Sequence, residues 1–94
     1  MLSLSLPKSA IIILDHLKVD GPMSPKQIAV KSNMPARTVS FALRQLLKQK
    51  ICKKIPNLLD MRQPTYHLND EMVRDLRAHI GKLQAELGIQ LKGF

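Results

Sequence analysis

The period of the apolar residues changes once along this chain, at Lys50, and that change limits the possible folds more than any other feature. Before Lys50 the apolar positions recur at helical spacing in three blocks. After it, Ile51, Lys53 and Ile55 alternate with Cys52 and Lys54, a period of two that suits a strand. Thr65-Tyr66-His67-Leu68 forms a second β-favouring run, and the loop Pro56 to Pro64 lets the two runs pair as a hairpin. Helical spacing then returns, with Met72, Leu76, Ile80, Leu83 and Leu87 at intervals of four, four, three and four. The expected order is α-α-α-β-β-α, mainly α with one small β-hairpin. A chain of 94 residues is one small domain, too short for a doubly wound sheet or a second ligand-binding domain.

Local punctuation sets the boundaries. Pro7 suits a first helical turn, with Ser5 or Leu6 before it, and Ile11, Ile12, Leu14, Leu17 and Lys18 continue to about Val19. Asp20-Gly21-Pro22 stops that helix. Ser24-Pro25 opens a second, two-turn helix: Ser24 caps and Pro25 is the first helical residue. It ends at Ser32-Asn33, where Asn accepts a left-handed backbone. Met34-Pro35-Ala36 starts a third helix with an inward stripe of Val39, Leu43, Leu46 and Leu47. Asn69 or Asp70 caps the last helix, with Asp70 and Glu71 in its first turn, and Gly88 ends it.

Charge is concentrated in one place. The net charge is +8, yet residues 1–20, 60–68 and 69–94 each sum to zero. The whole excess lies in residues 21–59, where Lys26, Lys31, Arg37, Arg44, Lys48, Lys50, Lys53 and Lys54 face no acid. Such a segment repels itself, and an external polyanion is the simplest partner that relieves it. General basicity would instead spread along the chain.

The second and third helices have the parts of a helix-turn-helix. Ala29 is small where they cross, Asn33 tolerates the turn, and Val39 anchors the second member. An α-helix with its side chains is about 10–12 Å across, which matches a major groove about 12 Å wide. Ile28-Ala29, Asn33-Met34, Val39 and Ala42-Leu43, followed by the two β-like runs, resemble the small winged helix-turn-helix transcriptional regulators of MarR or ArsR type found in bacteria and archaea. The resemblance covers about residues 7–87. It implies a winged helix-turn-helix that binds double-stranded DNA as a homodimer, usually to repress. By position, Ala36, Arg37, Thr38, Ser40, Phe41 and Arg44 would face the major groove, with Pro35 and Thr38 near the backbone. Gln45 and Lys48 lie further along the same helix. Arg62 and Gln63 in the wing would reach the minor groove or phosphates. Arg37 and Arg44 suit either guanine edges or phosphates, whereas Lys48, Lys53 and Lys54 suit phosphates.

This chain departs from that pattern at three points. Phe41 stands where many relatives are polar, Asn33 replaces a turn Gly, and the wing tip Pro56–Arg62 is unusually apolar. Leu58, Leu59 or Met61 there would fold back on the core or touch a second subunit. The last helix, Met72, Leu76, Ile80, Leu83 and Leu87, packs either on its own domain or on a second copy; near-3.5 spacing favours the second copy. The expected division is a DNA-binding unit over residues 1–68 and a dimerisation helix over 69–94. A protein-interaction module of the same fold is the alternative reading.

Other chemistry finds little support in the sequence. There is no Gly-rich phosphate loop and no GxSxG, so no catalytic residue is expected. His16, His67 and His79 are scattered and the one Cys cannot build a metal cage, so neither metal nor cofactor is expected. Cys52 reads as a packed thiol in a reducing compartment. No targeting or membrane-spanning segment is legible, and a cytoplasmic location follows as an expectation.

Overall fold

The computed structural model describes residues 6–59 and 62–94. Four helices and one hairpin follow each other as α1 (Lys8–Asp20), α2 (Pro25–Ser32), α3 (Ala36–Lys48), β1 (Cys52–Ile55), β2 (Thr65–Leu68) and α4 (Asp70–Leu87). This is the expected order. The winged-helix architecture rests on α1, which packs against α2, α3 and β2. Helix α1 is therefore buried on most of its circumference: Ala10, Ile11, Ile13, Leu14 and Leu17 all lie in the core. Of the residues that mark this helix in the sequence, Ile11, Leu14 and Leu17 are buried, Ile12 is half-buried and Lys18 is exposed, and Ala10 and Ile13 join the inward face.

The helix-turn-helix is set by local chemistry. The Ser24 hydroxyl accepts from the Gln27 N–H at 3.3 Å, and the Gln27 side chain accepts from the Ser24 N–H at 2.9 Å, a reciprocal capping box. Pro25 then fixes the first turn of α2. Asn33 closes the helix at φ 53° and ψ 46°, the left-handed conformation that Asn tolerates. The chain turns through Met34 and Pro35 into α3, which buries Val39, Ala42, Leu43 and Leu46. With 3.6 residues per turn these four occupy one side of the helix.

After α3 the chain reverses at Lys50, whose φ of 61° is left-handed without the relief of a glycine. This bend takes Ile51 off the strand, so Ile51 and Cys52 are both buried; the alternation expected from Ile51 onward is not seen in burial, since Lys53, Lys54 and Ile55 are all exposed. The strands pair antiparallel with Cys52 opposite Leu68 and Ile55 opposite Thr65. A single further bridge, Met23 to Tyr66, ties the α1–α2 connection to the hairpin through two backbone hydrogen bonds.

Helix α4 begins at Asn69, whose side chain accepts from the Met72 N–H. It sends Val73, Leu76 and Ile80 into the same core as the first three helices. Gly88 ends it in the left-handed region at φ 65°. Residues 89–94 then fold back: the Leu91 N–H donates to the Gln84 side chain and the Gly93 N–H donates to Asp15 Oδ1 at 2.6 Å. Ile89, Leu91 and Phe94 pack on the core. No helix among the described residues is long and apolar enough to cross a membrane.

Candidate nucleic-acid interface

The outward side of α3 is the candidate site. Arg37, Ser40, Phe41, Arg44 and Lys48 are all exposed, and their spacing of three, one, three and four places them on one stripe of the helix. The stripe lies opposite Val39, Ala42, Leu43 and Leu46, so the anchor and the exposed face are the two sides of a single pattern. Thr38 and Gln45 flank it half-buried, and Pro35 and Ala36 are exposed at its start. Phe41 keeps half its surface in solvent, at 50%. It offers an apolar edge between two guanidiniums that suits a thymine methyl.

The electrostatics of this face are one-signed. All eight cations of residues 21–59 are exposed. Lys31 lies 4.0 Å from Asp20, and among the described residues none of the other seven has a carboxylate within that distance. The first turn of α3 holds no acid, and Pro35 gives no side-chain cap. The positive end of the helix thus has neither a side-chain cap nor an acid of its own first turn to answer it.

The hairpin splits its cations. Successive strand residues point to opposite faces, so Lys53 and Lys54, grouped together by sequence, do not share a surface. Lys54 pairs across the strands with Tyr66, and Lys53 pairs with His67. Tyr66 lines a small recess with Pro25, Ser40, Leu43, Arg44 and Leu47, which puts the Lys54 face on the α3 side. On the other face Thr65 Oγ1 and His67 Nε2 are 2.9 Å apart. The start of α2 thus borders the stripe through Pro25, which linear spacing did not reveal.

The described residues of the loop between the strands lie largely at the surface. Arg62 and Gln63 are exposed, and so are Leu58 and Leu59, at 89% and 98%. An Asn57 side chain that accepts from the Leu59 N–H at 3.0 Å shapes the turn. The expectation that Leu58 or Leu59 folds back on the core is corrected: neither touches it. Met61 lies outside the described residues.

The α4 residues divide. Leu76 and Ile80, expected at a subunit interface, are fully buried in the chain's own core and have no surface to offer a partner. They are inside because they join the buried cluster that the other helices and the hairpin share. Met72 and Leu83 are half-buried, and Leu87 is 36% exposed. Cys52 is buried and its thiol is pushed up to about 12 by desolvation, which keeps it protonated and unreactive at neutral pH. Burial also raises the Tyr66 hydroxyl, with Cys52 adding to the effect. No group of three His, Cys, Asp or Glu side chains suited to a metal occurs among the described residues.

This arrangement, a supported helix with a bare cationic side beside a hairpin, defines a winged helix-turn-helix. Solved structures of the same fold are bacterial regulators. PcaV, a transcriptional regulator from Streptomyces coelicolor, superposes with a TM-score of 0.77 at 17% identity, over 94% of this chain and 64% of its own. ZitR of Lactococcus lactis gives 0.73 at 22% identity, over 92% and 58%. The adhesin competence repressor AdcR of Streptococcus pyogenes gives 0.70 at 19%, over 88% and 60%. These neighbours are MarR-type regulators, so the resemblance drawn from the residues holds for the fold. The chain spans about three fifths of their length. No family model matches the chain, and neither does any curated protein sequence.

Proposed function

We propose that this chain is a transcriptional regulator that binds double-stranded DNA in a sequence-specific manner, with α3 in the major groove. The observation that carries this reading is the one-signed α3 face: Arg37, Arg44 and Lys48 are exposed on a single stripe with no carboxylate partner among the described residues. Helix dimensions fit the groove, the bare amino end of α3 suits a phosphate, and the guanidiniums suit guanine edges. Lys48, Lys54 and Arg62 add backbone contacts. No residue takes a catalytic role in this reading, and repression is the mode in which groove occupancy acts most directly.

A homodimer belongs to the same proposal, since two copies would read two half-sites one helical turn apart. Leu83 and Leu87, with the rim of Met72, are the part of the α4 stripe left to meet a second copy; Leu76 and Ile80 support it from within. Sedimentation of the chain with and without duplex measures this.

The deciding experiment is fluorescence anisotropy with duplexes selected from a random pool, titrated at several salt concentrations. Affinity falls steeply with salt, each phosphate contact adding about −0.9 to the slope of log K against log salt. Failure to bind any duplex at low salt defeats the proposal. The protein-interaction alternative takes its support from Leu58 and Leu59, and it requires that Arg44→Glu leave complex formation intact.

A further inference from the structure

The wing tip presents something the major-groove reading does not use. Leu58 and Leu59 stand 89% and 98% exposed, side by side, at the end of a two-stranded ribbon. Together they put two large apolar side chains wholly in water at one place. Two side chains supply only a small part of the surface, about 800 Å², that each partner of a stable protein interface buries, so a protein partner at this tip would need contacts beyond it. The ribbon behind them carries Lys53 and Lys54 on one strand, and Arg62 follows on the other limb of the loop, all three exposed. Apolar tips backed by cations suit a partner that is anionic outside and stacked and apolar within, which describes a DNA duplex entered from a groove. Branched apolar side chains are the wedges by which proteins part adjacent base pairs from the minor groove.

We propose that Leu58 and Leu59 form a wedge that enters the minor groove beside the α3 site, partly unstacks one base step and bends the duplex. The cations of the hairpin hold the flanking phosphates while the leucines occupy the opened step. The Asn57 turn sets the direction of the tip by holding the Leu59 amide. Flexible pyrimidine–purine steps open at lowest cost, so the wedge adds sequence preference at a step that receives no hydrogen bond. This inference rests on the proposed DNA binding.

The test uses a duplex recovered by selection, with a donor and acceptor dye at its ends to report bending and 2-aminopurine placed at successive positions to report unstacking. The native chain shortens the end-to-end distance and brightens 2-aminopurine at one step outside the α3 contacts. The Leu58→Ser/Leu59→Ser double variant loses both signals and binds about tenfold more weakly, with its salt slope unchanged. Leu58→Met/Leu59→Met, which keeps an apolar tip, retains the bend. Circular dichroism verifies that both variants fold, as expected for exposed positions. If the serine variant binds and bends the duplex like the native chain, the wedge is refuted while the groove reading stands. If the native chain binds no duplex, both fall together. Binding of the native chain to anionic lipid vesicles but to no duplex assigns the leucines to a membrane surface and likewise refutes the wedge.

Discussion

Helices α3 and α4 are both amphipathic, and both bury a stripe of branched apolar residues in one core, yet their remaining surfaces differ completely. Helix α4 carries both signs of charge. Asn69 caps it, Asp70 and Glu71 sit in its first turn, and Asp75 and Glu86 are interspersed with Arg74, Arg77 and Lys82 along its sequence. Helix α3 has no side-chain cap, no acid in its first turn, and only cations among its charged residues. Inward faces of helices are much alike because packing asks the same of each. The outward face carries the information about partners. A helix that leaves its amino end and its charges unanswered is shaped for something outside the chain.

Four measurements break or sharpen this contrast. The largest effect concerns the inward side. Leu76→Ala is expected to cost about 2–5 kcal/mol in denaturant unfolding because it leaves a cavity in the monomer core, whereas Leu87→Ala costs much less. Equal costs for both substitutions would place the two residues in the same environment and contradict the assignment of Leu76 to the chain's own core. Next, Arg44→Ala and Arg37→Ala are each expected to weaken binding to a selected duplex by about 1–3 kcal/mol if they read bases. Lys82→Ala on α4 is expected to leave that binding unchanged, and loss of affinity there would erase the distinction between the helices.

A smaller effect has opposite signs in two assays. Ala36→Glu places an acid in the first turn of α3, which stabilises the helix by about 0.3–1 kcal/mol. The same carboxylate repels phosphate, so duplex affinity falls. A variant that gains stability and also keeps its affinity would show that the amino end of α3 does not face DNA.

The last measurement is on Cys52 and concerns pH. Burial pushes the thiol from an ordinary value of 9.0 up to about 12. The unfolded state therefore loses its proton first. The stabilisation is fully present below about pH 9 and declines as pH rises toward 12. Tyr66, raised in the same direction, adds to the decline. Unfolding curves from pH 8 to 11 follow this, and Cys52→Ala flattens the pH dependence at a cost in packing.

Much of this architecture is legible in the chain because its punctuation is local. Ser24-Pro25, Asn33, Asn69 and Gly88 act within one turn of where they stand, so helix ends read directly. The stripe of α3 is legible too, since anchor and exposed positions alternate with the helix period. What escaped depends on distant parts of the chain. Ile13 is buried because three elements surround α1, and no periodicity within α1 records that. Leu76 and Ile80 look like an interface until they are seen buried in the cluster that the other elements share. The return of residues 89–94 onto α1 hinges on Gly93 and Asp15, 78 positions apart. A side chain at Gly93 would collide with Lys18, a constraint invisible to composition.

One carboxamide joins the parts that face outward to the part that does not. Asn69 Oδ1 accepts from Met72 at the head of α4, its Nδ2 donates to the Lys50 carbonyl at 3.1 Å, and its own N–H donates to the Ile51 carbonyl at 2.8 Å. Lys50 is the corner between α3 and the wing. The tilt of the last helix and the aim of the ribbon are thus fastened at the same knuckle. Asn69→Asp, which retains the acceptor but loses the donor to the Lys50 carbonyl, is expected to loosen that joint without removing the cap.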